Sequence, residues 1–111
     1  MVKEYIPKQG DIVILTFDPQ VGHEQQQGRR PALVVSNEIF NKNVGLAIAC
    51  PITNTDRNFP FHVKVDSCEL SGFVMSEQVK FIDFRARKVK FIEKATDKLL
   101  ANVLGIIGSI L

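Results

Sequence analysis

Apolar residues fall in short β-type runs over most of this chain and change to a helical spacing only at its end. Asp11-Ile12-Val13-Ile14-Leu15-Thr16-Phe17 is β-branched and aromatic, with Gly10 before it and Asp18-Pro19 after it, and predicts a first strand. Pro31 to Ser36 predicts a second, with Pro31 tolerated because it opens the strand. The polar connection between them runs to about a dozen residues, a length that compact domains keep for function. Asn37 is placed to cap a short helical turn through Phe40, broken over Asn41 to Gly45. Leu46 to Thr53 is a third strand, too apolar for an edge facing water, and Asn54 to Pro60 is a second polar loop. Phe61 to Asp66 alternates, with Phe61, Val63 and Val65 inward and His62, Lys64 and Asp66 outward. Gly72 to Met75, Val79 to Ile82 and Ala86 to Ile92 are further short strands.

After Thr96, a cap, the period changes: Leu99, Leu100, Val103, Leu104, Ile107 and Leu111 line one face of a helix. Gly105 and Gly108 each weaken that helix by roughly 1 kcal/mol against alanine, and close approach to another element is the expected compensation. Many short strands and one terminal helix predict a mainly β (α+β) fold. Its expected form is a small, strongly bent β-barrel of SH3-like type with the C-terminal α-helix packed on it. With 111 residues the chain holds one core, so residues 1–111 are read as a single domain.

Composition changes this picture little. A hydrophobic content of 45% and a charged content of 23% fit a soluble globular protein. No apolar run reaches membrane-spanning length, and Met1 to Pro7 lacks the apolar stretch of a signal peptide, so a cytoplasmic protein with no membrane partner is expected. The formal charge of +2 permits a nucleic-acid partner without requiring one. Cys50 ends a core-like run and reads as a small buried hydrophobe. Cys50 and Cys68 do not form a metal-type pair, and no phosphate-cradling loop or nucleophile elbow occurs, so neither metal nor cofactor is expected.

The candidate chemistry lies where the long polar loop enters the second strand. Glu24, Arg29 and Arg30 bring a carboxylate and two guanidiniums to the mouth of a rigid sheet, and Pro51-Ile52-Thr53 ends the next strand on a hydroxyl. Fixed guanidinium charge suits a phosphate, and these three residue types suffice to cut a phosphodiester without metal. Each has a plainer reading: Arg30 in a strand-edge salt bridge with Glu24, Thr53 as a good β-former. His62, on an outward face, reads as a surface imidazole. Phe40, Phe59 and Phe61 are possible stacking platforms for unpaired bases, Phe61 being more in keeping with the core.

Taken in order, Gly10-Asp11-Ile12-Val13, Phe17-Asp18-Pro19, Gly22-His23-Glu24-Gln25, Gly28-Arg29-Arg30-Pro31-Ala32-Leu33-Val34-Val35-Ser36, Pro51-Ile52-Thr53, Gln78-Val79-Lys80 and Arg85-Ala86-Arg87 resemble the MazF/PemK family of toxin endoribonucleases. The resemblance implies a CcdB/PemK-type barrel, usually a homodimer, that cuts single-stranded mRNA at short sequences and is neutralised by a MazE-like antitoxin. DNA binding is implied only through the antitoxin complex. Arg30 and Thr53 match the family's catalytic arginine and threonine, and Glu24 is the candidate to take the 2′-OH proton or orient Arg30. His23, Arg29, Glu77, Gln78, Lys80 and Arg87 are the candidate RNA contacts. Glu77-Gln78 departs from the family's Asp-Gln by one methylene. The alternative is a non-enzymatic, CcdB-like gyrase poison. Such poisons act through a tryptophan-containing C-terminus, and this chain has no tryptophan.

Overall fold

A computed structural model describes residues 4–16, 29–66 and 70–111, with only the backbone of Thr16 and Arg29. Its elements are β1 (Asp11–Thr16), β2 (Arg29–Val34), α1 (Glu38–Val44), β3 (Ala47–Thr53), β4 (His62–Lys64), β5 (Phe73–Met75), β6 (Lys80–Ile82), β7 (Lys90–Lys94) and α2 (Asp97–Ile110). The strands form one sheet in the order β4-β5-β3-β2-β1-β7, with β6 also on β3. Every pairing is antiparallel. The fold is α+β as the pattern predicts. Among the described residues β4 and β7 do not pair, so the sheet is bent but open rather than a closed barrel.

The central strands lack polar alternation because both faces are covered. Ile12, Leu33, Cys50 and Ile52 face one side and pack with Leu99 and Val103 of α2. Val13, Leu15, Ala32 and Val34 face the other and meet Ile82, Phe84 and Val89. Burying each of the valine, leucine, isoleucine and phenylalanine side chains contributes about 1.5–3 kcal/mol, so the sheet is anchored from both sides.

The helices follow from their caps. Thr96 Oγ1 accepts from the Leu99 N–H at 3.1 Å and donates to Asp66 at 2.9 Å, which ties the start of α2 to the chain after β4. Among the described residues Gly105 and Gly108 have nothing within 4 Å of where a Cβ would stand, so none of these compensates them by close approach. α1 is longer than the four-residue turn expected. Asn41 does not break it: buried, it donates to the Pro7 carbonyl at 2.8 Å and accepts from Ser36 Oγ at 2.5 Å, so its polar groups are satisfied inside the helix. Gly45, at φ 82°, ends it. Ala86 to Val89, expected to be strand, instead lie ahead of β7, Ala86 to Lys88 in a turn that begins at Phe84. That turn is joined to the N-terminal segment by the Arg85–Glu4 ion pair.

One irregularity prepares the site. The outer edge of β3 is shared: Ala47 to Ala49 pair with β6, while Ile52 and Thr53 pair with β5. The residues between β5 and β6, Ser76 to Val79, therefore cross beside Cys50 and Pro51. At Gly72 a Cβ would come within 2.7 Å of the Thr53 carbonyl oxygen, and φ is 140°, so only glycine lets β5 approach Thr53 this closely.

Candidate active site

Two prolines set the position of Arg30 against Thr53. The Val35 N–H donates to the Ile48 carbonyl at 2.8 Å, so the backbone groups of Val35, Leu33 and Pro31 point at β3. Pro31 has no N–H to give, and the β2–β3 ladder stops at Ala32↔Pro51. Carrying that register two residues further sets Arg30 opposite Thr53, on one face and just past the last rung. Pro31 thus stands third in its strand rather than first, and its effect is to open the sheet at this point. Pro51 points its nitrogen the other way, into the gap between β5 and β6, where no ladder runs.

Arg30 and Thr53 line one cleft of about 440 Å³ with Glu77, Gln78, Arg57, Phe59, His62 and Met75. Thr53 Oγ1 accepts from the Thr55 N–H at 3.2 Å, which leaves its own proton to donate into the cleft. The loop after it turns sharply where Asp56 accepts from the Asn58 N–H at 2.9 Å and Asn58 takes φ 54°. This turn brings Arg57 and Phe59 back over the cleft. Arg30 and Arg57 supply its positive charge, and the Phe59 ring stands edge-on to Phe61 at 5.4 Å.

His62 corrects the reading from alternation. Its side chain is 4% exposed, and Nε2 lies 3.2 Å from Glu77 Oε2. β4 is three residues long and ends a bent sheet, so the Asn54–Pro60 loop and the β5–β6 link cover the face that alternation assigns to solvent. Cys50 is fully buried, as expected, and burial, with the Glu77 charge second, pushes its thiol up to about 12.

Of the candidate residues, Arg30, Thr53, Glu77 and Gln78 share this cleft. Lys80 and Arg87 instead border a neighbouring hollow of about 240 Å³ floored by Leu15, Ala32 and Ala49. His23, Glu24 and Cys68 lie outside the described residues, as does the Arg29 side chain. Phe40 packs against Phe81, away from the cleft. Sequence reasoning missed Arg57 and His62. The only signal for Arg57 is a lone cation in the loop that follows Thr53, and for His62 its closeness in sequence to that same loop.

Residues 8–111 match the family described as PemK-like, MazF-like toxin of type II toxin-antitoxin system. The chain belongs to this family. It is 39% identical over 87 residues to the endoribonuclease toxin MazF of Escherichia coli (strain K12), covering 78% of each chain. It is also 39% identical over 109 residues to the endoribonuclease toxin ChpB of the same strain, covering 94% of this chain and 93% of ChpB. The crystal structure of MazE-MazF (Form-II) from Deinococcus radiodurans superposes with a TM-score of 0.89 at 40% identity over 96% of each chain.

Proposed function

We propose that this chain is a toxin that cuts single-stranded mRNA in the Arg30–Thr53 cleft, using the RNA's own 2′-hydroxyl as nucleophile and no metal. Relatives spanning most of its length are named endoribonucleases, and the chain is an endoribonuclease of that family. In the proposed reaction a carboxylate takes the 2′-OH proton and O2′ bonds to phosphorus. The P–O5′ bond then breaks with its electron pair leaving on O5′, which takes up a proton. The products are a 2′,3′-cyclic phosphate and a 5′-hydroxyl.

Arg30 holds two phosphoryl oxygens in its fork and stabilises the charge that grows on them. Thr53 donates its hydroxyl proton to the same phosphate and fixes it within reach of Arg30. Glu24 takes the 2′-OH proton or orients Arg30. Glu77, Gln78, His23 and Arg29 contact the flanking nucleotides, and Lys80 and Arg87 extend that contact into the neighbouring hollow. A MazE-like antitoxin is the proposed protein partner, by analogy with the MazE-MazF structure, and a homodimer the proposed assembly.

The observation that carries this reading is that Arg30 and Thr53 face each other across the open end of the β2–β3 ladder, inside one cleft. The test is to incubate a defined RNA with the protein in EDTA and identify both ends of every fragment. Cyclic phosphate and 5′-hydroxyl ends formed in EDTA are the expected result. Cutting that depends wholly on added Mg²⁺ would overturn the reaction type.

A further inference from the structure

Glu77 reaches the cleft with an imidazole behind it. Its side chain is 27% exposed against 4% for His62, so Glu77 is the member of the pair that a ligand meets first. A carboxylate accepts and does not donate, so the 3.2 Å contact makes His62 Nε2 the donor and selects the Nε2–H tautomer of the neutral ring. Phe59 stands edge-on to the imidazole at 5.1 Å, which limits the ring's freedom to turn away. Two polar atoms of the pair, His62 Nδ1 and Glu77 Oε1, are buried with no hydrogen-bond partner among the described residues. An apolar pair would fill this volume without that penalty. Orphaned polar groups kept beside Arg30 and Thr53 point to use at the site rather than to stability.

We propose that His62 is a positioning residue: its Nε2–H holds the Glu77 carboxylate in one orientation in the cleft it shares with Arg30 and Thr53. This rests on the cleft being where RNA is cut. Glu77 meets the RNA, and His62 acts only through it. Among the described residues, the other charged groups that line this cleft are Arg30 from β2 and Arg57 from the loop after β3. A carboxylate already fixed loses no rotamer freedom when RNA arrives, which favours the productive geometry over merely tight binding.

Two measurements test this, one of them independent of cleavage. Nitrogen-15 NMR of the unliganded protein should find His62 as the Nε2–H tautomer with its Nε2–H proton shifted downfield by the carboxylate, a shift lost in Glu77→Leu. An Nδ1–H ring, or an Nε2–H resonance indifferent to Glu77→Leu, overturns the proposal whether or not RNA is cut. In cleavage assays His62→Gln, whose amide N–H reaches about as far as Nε2, should keep kcat within about threefold of wild type. His62→Leu, of similar bulk, should lower kcat by about 10- to 100-fold with little change in KM. Melting curves establish that both variants fold, and the NMR result decides if His62→Leu does not. Full activity in His62→Leu, or an equal fall in both variants, overturns the proposal. Wild-type protein that cuts no RNA would sink the nuclease reading alone, leaving the pairing to be judged by NMR.

Discussion

The thiol of Cys50 sits under β3 beside the cleft, fully buried, and releases its proton only near pH 12 instead of near its ordinary value of 9. The folded protein therefore binds this proton more tightly than the unfolded chain. That contribution to stability is complete below about pH 9 and is lost as pH rises toward 12. Urea midpoints should fall between pH 8.5 and 10 in wild type and fall less steeply in Cys50→Ala. Equal slopes in the two proteins would contradict the assignment. Tyr5 is also held above its ordinary range, by burial first and then by its hydrogen bond to Asp11, and adds to the loss only at higher pH. Cys50 was legible as a buried residue because it ends an unbroken apolar run. His62 was not, because a two-residue period says which face a side chain takes but not what lies over that face.

Among the elements, α2 was the most legible, since cap, period and burial agree: Thr96 caps it, and Leu99 and Val103 enter the core. Its two glycines are the exception, and they make a prediction. With no neighbour near either Cβ position among the described residues, Gly105→Ala should stabilise the protein by about 0.5–1 kcal/mol in a urea titration. Loss of stability instead would mean that another surface packs there. Gly72→Ala should do the opposite and cost about 1–3 kcal/mol, because the new methyl would press on the Thr53 carbonyl in a backbone conformation alanine resists. Since Thr53 must shift, cleavage by this variant should fall as well. The start of β2 was hidden for a related reason. Proline at a strand's first position and proline ending one of its two ladders leave the same trace in sequence; only the partner strand distinguishes them.

For the whole molecule, the arrangement that makes the site is non-local. No sequence pattern states that β3 divides its outer edge between β5 and β6, and this division is what carries Glu77 and Gln78 past Pro51 into the Arg30 cleft. What the sequence did disclose was the set of parts, through the ordered motifs around Arg30 and Thr53. The molecule's charge of +2 is small, so RNA binding should depend on few phosphates. If the cleft cations Arg30 and Arg57 each neutralise one, together they contribute about −1.4 to the slope of log(kcat/KM) against log[salt], and Arg57→Ala should flatten it by about 0.7. An unchanged slope in that variant would remove Arg57 from the RNA path.

A double-mutant cycle on single-turnover cleavage of a defined RNA in EDTA, using Arg30→Ala, Thr53→Ala and both together, tests the joint action of these two side chains on one phosphate. Each single change should slow cleavage by about 10²- to 10³-fold, with the double variant little slower than either, because both groups serve the same transition state. Losses that simply multiply, or an Arg30→Ala protein that cuts as fast as wild type, would contradict the account.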